Sequence, residues 1–417
     1  MSDSRMVPEE LAEFTSRVAP SRVARPESSK GVLTRLFLRY ARPSKTQGAL
    51  PRTSHPSILA FATQGAGGDD EARLLTLLDN FDPIVFAFDR KGKWWSFRAL
   101  VKALLKCRPH LVVMEGTGIA GGLAILLARL VAGIPYVVSS GDAVGPFVGR
   151  HRPLLGPLFG LYERLLCRLS AGYIGWTPYL AGRALTFGAP RVMSAPGWAP
   201  CSTSANQFAD SRVRIRKELG IAPEDLVFGI VGSLAWTRRV RYCYGLELVR
   251  ALGRTKRRDL KVIIVGDGDG RPHLEQAAGK ELGVRVFLTG RVPREQVPEY
   301  LSAMDVASLP QSVDQVGSFR YTTKLSEYLA AGLPVVTGQI PLAYDLGDDW
   351  LWRLPGNAPW DERYLQALAN LMEHVSSSEL TAKQEAVPDH LPEFDRSRQV
   401  DRVTAFLMDL LPSGEQS

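Results

Sequence analysis

The chain has 417 residues, of which 45% are hydrophobic and 23% are charged, with 38 Gly, 28 Pro and only 4 Cys. This length suits two domains, and the apolar content excludes a disordered or low-complexity chain. The net charge of +8 is carried by residues 17–52, which hold nine basic residues and one acid. Because the rest of the chain is balanced, we do not expect a protein that binds nucleic acid.

The cysteines and the apolar runs bear on the compartment. Cys107, Cys167, Cys201 and Cys243 stand far apart, so no CxxC pair for a metal or for redox chemistry is present. The first ten residues lack the apolar core of a secretory signal, and unclustered thiols fit the reducing cytosol. The longest apolar run is shorter than the roughly 20 residues that a membrane span needs. We therefore expect a cytoplasmic protein without a spanning helix.

Residues 1–55 predict a basic arm that precedes the first domain. Within it, residues 31–42 have a helical pattern with an apolar face and an arginine-rich face. Such a helix either packs on the body of the protein or lies on an anionic membrane. Residues 145–173 also combine leucines with basic side chains. The two segments predict a peripheral contact with the inner face of the membrane, and packing within the protein is the alternative.

Residues 56–205 alternate apolar strands with helices, which predicts a Rossmann-like domain with a parallel sheet covered on both faces. The predicted strands are residues 58–62, 84–88, 111–114 and 136–138. Glycine clusters follow the first and the third of these strands. Ligands of such sheets bind at the carboxyl ends of the strands, where these glycines lie.

The alternation restarts after a looser stretch at residues 197–225. A helix is predicted at residues 244–252, and strands are predicted at residues 227–231, 262–265, 284–288, 306–309 and 334–336. Residues 206–395 thus predict a second Rossmann-like domain. A last helix, at residues 398–411 within the terminal segment 396–417, is expected to cross back to the first domain. The fold class is therefore α/β, with two doubly wound domains that face a central cleft.

The common catalytic motifs are missing. Arg271 stands where GxGxxG requires its third glycine, and no acid follows about 20 residues later. The motifs GxxxxGK[ST], HExxH and GxSxG do not occur. His110, His151 and His273 do not cluster, so we expect no metal site. Dehydrogenases, P-loop enzymes, zincins and α/β-hydrolases are not supported.

The most informative block is residues 305–336. A strand and a polar loop precede a helix that opens near Thr322 and Thr323 and ends before Gly332. The free N–H groups of such a helix start can bind a diphosphate, although threonine here is also ordinary capping chemistry. Lys324 stands in the first turn, where the helix dipole alone favours an acid. This mismatch favours an anionic ligand.

This block resembles the nucleotide-sugar-binding core of the family 4 retaining glycosyltransferases, which have the GT-B fold. The helix is similar to the family pattern KLxEYxAxGxPVV, whose glutamate hydrogen-bonds the nucleotide ribose, and Glu327 matches that glutamate. Three further pieces match in the same order: residues 228–239, 262–275 and 284–310. The N-terminal half is compatible with the same fold.

The resemblance implies a set of site residues. Gly232 and either Arg238 or Arg239 face the diphosphate, while Arg291 and Val292 lie beside the base. Lys324, an arginine of this pair and the helix start at Thr322 and Thr323 stabilise the charge on the leaving group. Contacts to the acceptor or to the transferred sugar come from the N-terminal half, at Gly65, Gly67, Gly68 and Asp142. For Glu327, Lys324 and the two arginines a solvated surface position is the plain alternative, and for Asp142 the alternative is an aspartate of a loop turn.

Two departures from the family pattern stand out. Phe319 occupies the position of a second glutamate, which touches the transferred sugar, and Asp314 or Gln315 are the nearby candidates to replace it. Ser233 stands where the family has an arginine after the first glycine. Some relatives with the variant RxxxKLxEY also lack the second glutamate.

The resemblance therefore implies a glycosyltransferase that moves a sugar from a nucleoside-diphosphate sugar to a glycan, lipid-linked or small-molecule acceptor. It implies retention of configuration and a reaction without a metal or another cofactor. Two alternatives remain open. One is a catalytically inactive GT-B protein that binds a nucleotide sugar or a partner protein, and the other is a sugar epimerase or phosphorylase on the same fold.

Overall fold

The computed structural model describes residues 57–199, 205–320, 323–345, 349–389 and 391–412. The basic arm and the helix predicted at residues 31–42 lie outside these ranges. The strands are β1 Ile58–Ala62, β2 Ile84–Val85, β3 Leu111–Glu115, β4 Tyr136–Ser140, β5 Gly172–Gly175, β6 Val192–Ser194, β7 Leu226–Val231, β8 Leu260–Val265, β9 Val286–Gly290, β10 Val306–Leu309, β11 Val335–Gly338 and β12 Leu351–Leu354.

The α-helices are α1 Asp69–Leu77, α2 Lys93–Cys107, α3 Ile119–Ala132, α4 Val144–His151, α5 Gly156–Leu169, α6 Pro178–Thr186, α7 Ala205–Leu219, α8 Leu246–Leu252, α9 Arg271–Ala278, α10 Val297–Ser302, α11 Thr323–Ala330, α12 Pro341–Asp345, α13 Glu362–His374, α14 Ser377–Glu385 and α15 Arg396–Met408. Among the described residues, no helix combines the length and the apolar composition that crossing a membrane requires.

The strands form two parallel six-stranded sheets. The first has the order β2-β1-β3-β4-β5-β6 and belongs to the N-terminal domain, and the second has the order β12-β11-β10-β7-β8-β9 and belongs to the C-terminal domain. Strands β1, β3 and β4 are buried along their whole length, because helices cover both faces of the sheet. The predicted fold class, α/β with two doubly wound domains, is confirmed.

Two layers of helices cover the first sheet. One core cluster joins Leu104 of α2, Ala124 of α3 and Leu166 of α5 to the sheet. On the opposite face, Leu74 of α1 and Leu407 of α15 pack in a second cluster. The last helix of the chain thus packs on the N-terminal domain.

Hydrogen bonds also hold this last helix to the N-terminal domain. The side chain of Gln399 accepts a bond from the backbone N–H of Gly197 and donates one to its carbonyl oxygen, at 2.8 and 2.6 Å.

The interpretation of residues 197–225 as a loose stretch was wrong in part, because α7 occupies Ala205–Leu219. This helix is polar, and it is held by charge as well as by apolar contacts. Arg216 lies 2.7 Å from the carboxylate of Asp305, and Ile215 is buried in the core of the C-terminal domain. A helix with so few apolar residues has a weak hydrophobic period, which explains the error.

Strands β5, β6 and β12 were not predicted, and β2 is limited to Ile84–Val85. These strands have four residues or fewer. In β5, a Cβ atom at Gly175 would lie 2.7 Å from the backbone nitrogen of Ala181, so packing against α6 requires glycine. Short strands with glycine have a weak sequence signal.

Candidate active site

The carboxyl ends of both sheets face a cleft between the domains, and three cavities lie along it. A cavity of about 720 Å³ is lined by Arg150 and Arg183 on one side and by Arg239 and Trp360 on the other. A second, of about 340 Å³, lies around Asp142, and a third, of about 490 Å³, lies beside α1. Residues of both domains line each of them.

Lys324 packs on Gly232, the glycine that directly follows β7. A Cβ atom built at Gly232 would lie 2.6 Å from Cε and 2.9 Å from Nζ of Lys324. The glycine loop after β8 also packs tightly against Gly232. A Cβ atom at Gly266 would lie 1.8 Å from the carbonyl oxygen of Gly232. Helix α11 begins at Thr323, so Lys324 is in its first turn. Thr322 and the side chain of Thr323 lie outside the described part of the structure.

Two positively charged side chains act on Tyr244 at this position. The ammonium of Lys324 lies 4.4 Å from the centre of the Tyr244 ring. Burial raises the pKa of Tyr244, but the charges of Lys324 and Arg320 outweigh burial and hold its pKa below the ordinary value. Gln311 also donates a hydrogen bond of 3.2 Å to the phenol oxygen. The two positive charges thus favour an anion at this position.

Arg320 connects this cluster to the N-terminal domain. Its Nε donates a hydrogen bond of 2.8 Å to Oδ1 of Asp142, which follows β4. Burial lowers the pKa of Arg320, but Asp142 and Tyr244 outweigh this effect and raise its pKa overall. The guanidinium therefore keeps its charge in the cleft.

Glu327 is half-buried on α11, and its carboxyl group makes no hydrogen bond to a described residue. Burial raises the pKa of its carboxyl group, while Lys324 and Arg294 act in the opposite direction. Arg294 in turn forms an ion pair of 2.8 Å with Asp69, across the cleft. A carboxylate with these surroundings retains its capacity to accept hydrogen bonds from a ligand.

Two further carboxyl groups lie at the floor of the cleft. Glu115 is buried and is bound by Arg73 at 2.7 Å and by the indole N–H of Trp176 at 3.0 Å. Asp70, on α1, lines the 340 Å³ cavity with Glu115. Burial, followed by the charge of Glu115, raises the pKa of Asp70 from 3.8 to about 6. Glu115 is therefore committed to a structural ion pair, whereas Asp70 has no ion-pair partner among the described residues.

The predicted arginines do not join Lys324. Arg239 is exposed and donates a hydrogen bond of 2.9 Å to the carbonyl oxygen of Arg150. Arg238 is also exposed and has no hydrogen-bond or ion-pair partner among the described residues. Arg291 is exposed, and Val292 packs against the core of the C-terminal domain. The cation that acts on Tyr244 together with Lys324 is Arg320.

The predicted glycines of the N-terminal half lie in the loop between β1 and α1. Gly65 and Gly67 have φ angles of +118° and +77°, in the region that favours glycine. The N–H of Gly67 donates a hydrogen bond of 2.6 Å to Glu71, and Gly68 precedes the first residue of α1. The loop thus leads directly to Asp69 and Asp70 at the cleft.

The loop before α11 is bound to the N-terminal domain. The carbonyl oxygen of Phe319 accepts a hydrogen bond of 3.0 Å from Thr177, and its ring lies 5.4 Å from the guanidinium of Arg183. Asp314 pairs with Arg150. Burial raises the pKa of Asp314, but the N–H groups of the loop and Arg150 outweigh burial and lower its pKa overall.

The two nearby candidates to replace the second glutamate thus differ. Asp314 is engaged in this docking contact, whereas Gln315 is exposed and lines the 720 Å³ cavity.

Sequence reasoning did not select Tyr244, Gln311, Arg320 or Asp70. The signal for Asp70 was available, because an acid directly after the glycine loop of β1 must lie at the edge where ligands bind. Tyr244 had been placed at the start of a helix, but α8 begins at Leu246. In the described part of the chain, no group of three His, Cys, Asp or Glu side chains has the arrangement of a metal site.

Comparisons with known proteins agree with the fold. Residues 225–374 match the family described as Glycosyl transferases group 1. Over 216 residues the chain is 30% identical to the 2-deoxystreptamine glucosyltransferase of Streptomyces kanamyceticus, a match that covers 50% of this chain and 53% of that protein. It is 27% identical over 256 residues to the alpha-D-kanosaminyltransferase of the same organism, covering 58% of this chain and 63% of the relative. The matches thus span little more than half the length of these relatives.

Solved structures share the architecture. The Anabaena protein HepE in complex with UDP-glucose superposes with a TM-score of 0.65 at 18% identity, over 85% of this chain and all of that one. The lipopolysaccharide outer core galactosyltransferase WaaB superposes with a TM-score of 0.57 at 15% identity, over 85% of this chain and all of WaaB. At these identities the likeness shows the GT-B fold.

Proposed function

We propose that this protein is a glycosyltransferase that moves a sugar from a nucleoside-diphosphate sugar to an acceptor held by the N-terminal domain. The observation that carries this proposal is the packing of the Lys324 ammonium on Gly232 at the start of α11, with Arg320 acting on the same tyrosine, Tyr244, as Lys324. Two cations and a helix N-terminus at one point suit a diphosphate. The family match of residues 225–374 supports the same reading.

In this proposal, Glu327 accepts hydrogen bonds from the ribose, and Lys324 and Arg320 hold the diphosphate. The bond between the anomeric carbon and the diphosphate oxygen breaks while the acceptor oxygen bonds to that carbon. The proton of the acceptor hydroxyl passes to the departing phosphate oxygen. Because negative charge grows on the diphosphate in the transition state, cations fixed beside it lower the barrier.

Retention of configuration and independence from metal belong to the proposal. Departure and attack on the same face of the sugar would retain configuration. Lys324 and Arg320 supply the charge that a divalent cation supplies in other transferases.

We place the acceptor in the 340 Å³ cavity, which is lined by the carboxyl groups of Asp70 and Asp142 and by Trp176. This lining suits a polyhydroxylated ring, whether of a glycan, a lipid-linked sugar or a small molecule. The first acceptor to test is a small molecule, since one relative is named for 2-deoxystreptamine. A UDP-linked hexose is the first donor, because HepE was solved with UDP-glucose.

One observation favours a second candidate, a GT-B protein that binds a nucleotide sugar without turnover. The position of the second glutamate is held by Phe319, whose loop is docked on the N-terminal domain. Such a protein would bind the donor and release neither sugar nor nucleotide.

We further propose a cytoplasmic protein with peripheral membrane contact through the basic arm and residues 145–173. The thiols of Cys107, Cys167 and Cys243 are unpaired, in keeping with a reducing compartment. In the second segment, Leu154, Leu158 and other leucines are exposed.

The experiment measures UDP release from UDP-hexoses with and without a panel of acceptors, and it determines the product anomer by NMR. Release that depends on an acceptor, with retention and without an effect of EDTA, supports the proposal. If the protein binds UDP but releases no UDP from any UDP-hexose, the non-catalytic candidate is supported. An activity that EDTA abolishes contradicts the metal-free site.

A further inference from the structure

The outer surface of α2, α3 and α5, which cover one side of the first sheet, is unusually apolar. Of the 21 large hydrophobic side chains that are exposed in the described part of the chain, 12 lie on these helices or in the turn before α5. They are Trp94, Trp95, Leu105, Ile119, Leu123, Leu127, Leu130, Val131, Leu154, Leu158, Leu161 and Leu165. We call this surface the outer helical face.

The exposed residues form stripes along the helices. In α3, Ile119, Leu123 and Leu127 follow one another at intervals of four residues, which places them on one side of the helix. The opposite side of α3 is buried in the core, so this helix is apolar all round. The hydroxyl group of Tyr162 on α5 donates to the carbonyl oxygen of Gly118 at 3.1 Å, which brings α5 beside α3. Helix α2 also packs against α3, so the stripes belong to one continuous layer.

The solvent-exposed charges on these three helices are all positive. Seven basic residues are exposed: Lys93, Arg98, Lys102, Lys106, Arg129, Arg164 and Arg168. The single acid, Glu163, is buried and bound by Arg183 at 2.9 Å. None of the seven forms an ion pair with another described residue. An apolar layer with unpaired cations calls for an apolar and anionic partner.

We infer that the outer helical face docks on an anionic lipid bilayer, an inference that rests on the proposed membrane contact and names its surface. Exposed leucines and tryptophans would enter the boundary between headgroups and acyl chains. The lysines and arginines would reach the anionic headgroups with their long side chains.

The positive charge of the outer helical face disfavours two other partners, a second copy of the chain and the chain's own arm. A symmetric dimer through the outer helical face would bring the seven cations of one copy against those of the other. The chain's own arm is also a poor cover, because residues 17–52 hold nine basic residues and one acid. A bilayer with anionic lipids satisfies both the apolar and the basic side chains.

The test is co-sedimentation of the full-length protein with vesicles of phosphatidylcholine alone or with added phosphatidylglycerol. Binding is expected on the anionic vesicles, with a decrease as salt is added. Leu130→Glu should lower the partition coefficient about tenfold. Val213→Glu is the matched control, since Val213 on α7 is as exposed as Leu130, at 70%, and it should bind like wild type.

A second pair of variants tests the charges. Lys102→Glu should lower the partition coefficient at least about fivefold, whereas Lys280→Glu, at an exposed lysine of the C-terminal domain, should not. Equal binding of Leu130→Glu and Val213→Glu would overturn the inference and leave the arm as the contact. The inference also fails if wild type self-associates through Leu130 and ignores lipid.

The same preparations separate this inference from the proposed activity. Leu130→Glu should bind UDP like wild type, and Glu327→Ala should bind vesicles like wild type. Absence of any binding to anionic vesicles would refute the membrane contact itself, while UDP release reports on the transferase independently.

Discussion

The ammonium nitrogen of Lys324 lies 2.9 Å from the point that a Cβ atom would occupy at Gly232. The two residues are 92 positions apart in the sequence, and the sheet brings the end of β7 under the first turn of α11. The absence of a side chain at Gly232 is what allows the lysine to lie there. A cation is thereby held at a helix N-terminus, a position that suits a phosphate group.

Gly232→Ala should therefore displace Lys324 and reduce turnover about ten- to a hundredfold, because small errors in the position of a catalytic group are costly. UDP release measures the effect. Gly182→Ala is the control, since a Cβ atom at Gly182 meets nothing within 4 Å. If the two variants have equal rates, the close packing has no functional role.

Lys324→Ala should lower kcat more than it weakens donor binding, since the charge on the leaving group grows toward the transition state. A loss of about a hundredfold or more in kcat is typical for the removal of such a group. Steady-state kinetics with varied donor separates the two effects. An unchanged kcat with a higher KM would make Lys324 a ground-state contact.

Glu327→Ala should weaken UDP binding by about 1.5 to 3 kcal/mol, the usual contribution of a hydrogen bond to a charged group. Calorimetry measures this change, and Glu385→Ala, at an exposed glutamate of α14, serves as the comparison. Equal affinities in the two variants would remove Glu327 from the nucleotide site.

Arg320→Gln should reduce turnover more than Arg238→Gln, because Arg320 and not Arg238 stands beside Tyr244. It should also raise the pKa of Tyr244, since one of the two cations that depress it is lost. Ultraviolet difference titration follows the phenol, and UDP release follows the rate. A larger loss of rate in Arg238→Gln would restore the arginine pair predicted from the sequence.

Asp70 should make stability depend on pH. Its pKa is raised from 3.8 to about 6 in the folded protein, so the folded state binds the proton more tightly than the unfolded state. The contribution of Asp70 to stability therefore falls as pH rises from about 4 to 6. Asp70→Asn should be more stable than wild type near pH 7 and about equal to it near pH 4, as thermal unfolding would show. A stability difference that does not change between these values would contradict the raised pKa.

Asp70 should also affect the binding of the acceptor. If the Asp70 carboxylate binds the acceptor, the KM for the acceptor should rise as pH falls through about 6 in wild type. Asp70→Asn should lack this rise. A rise of equal size in the variant would assign the titration to another group.

The sequence by itself determined the two parallel sheets, because fully buried strands are continuous apolar runs that recur between helices. It placed β1 and β10 at the bounds that the structure has. Lys324, Glu327 and the glycine after β7 were named as site candidates because each belongs to a continuous local pattern, and their roles stay predictions.

Only the tertiary structure decided which groups meet. Arg320 approaches Tyr244 because β7, β10 and the loops after them are neighbours in the sheet, although 75 residues separate the two positions in the chain. Arg238 and Arg239 were the arginines that the sequence offered for the diphosphate, yet Arg239 is bound to the carbonyl oxygen of Arg150. The charge of a side chain is a property of its residue type, whereas its partner and its pKa depend on the long-range packing that surrounds it.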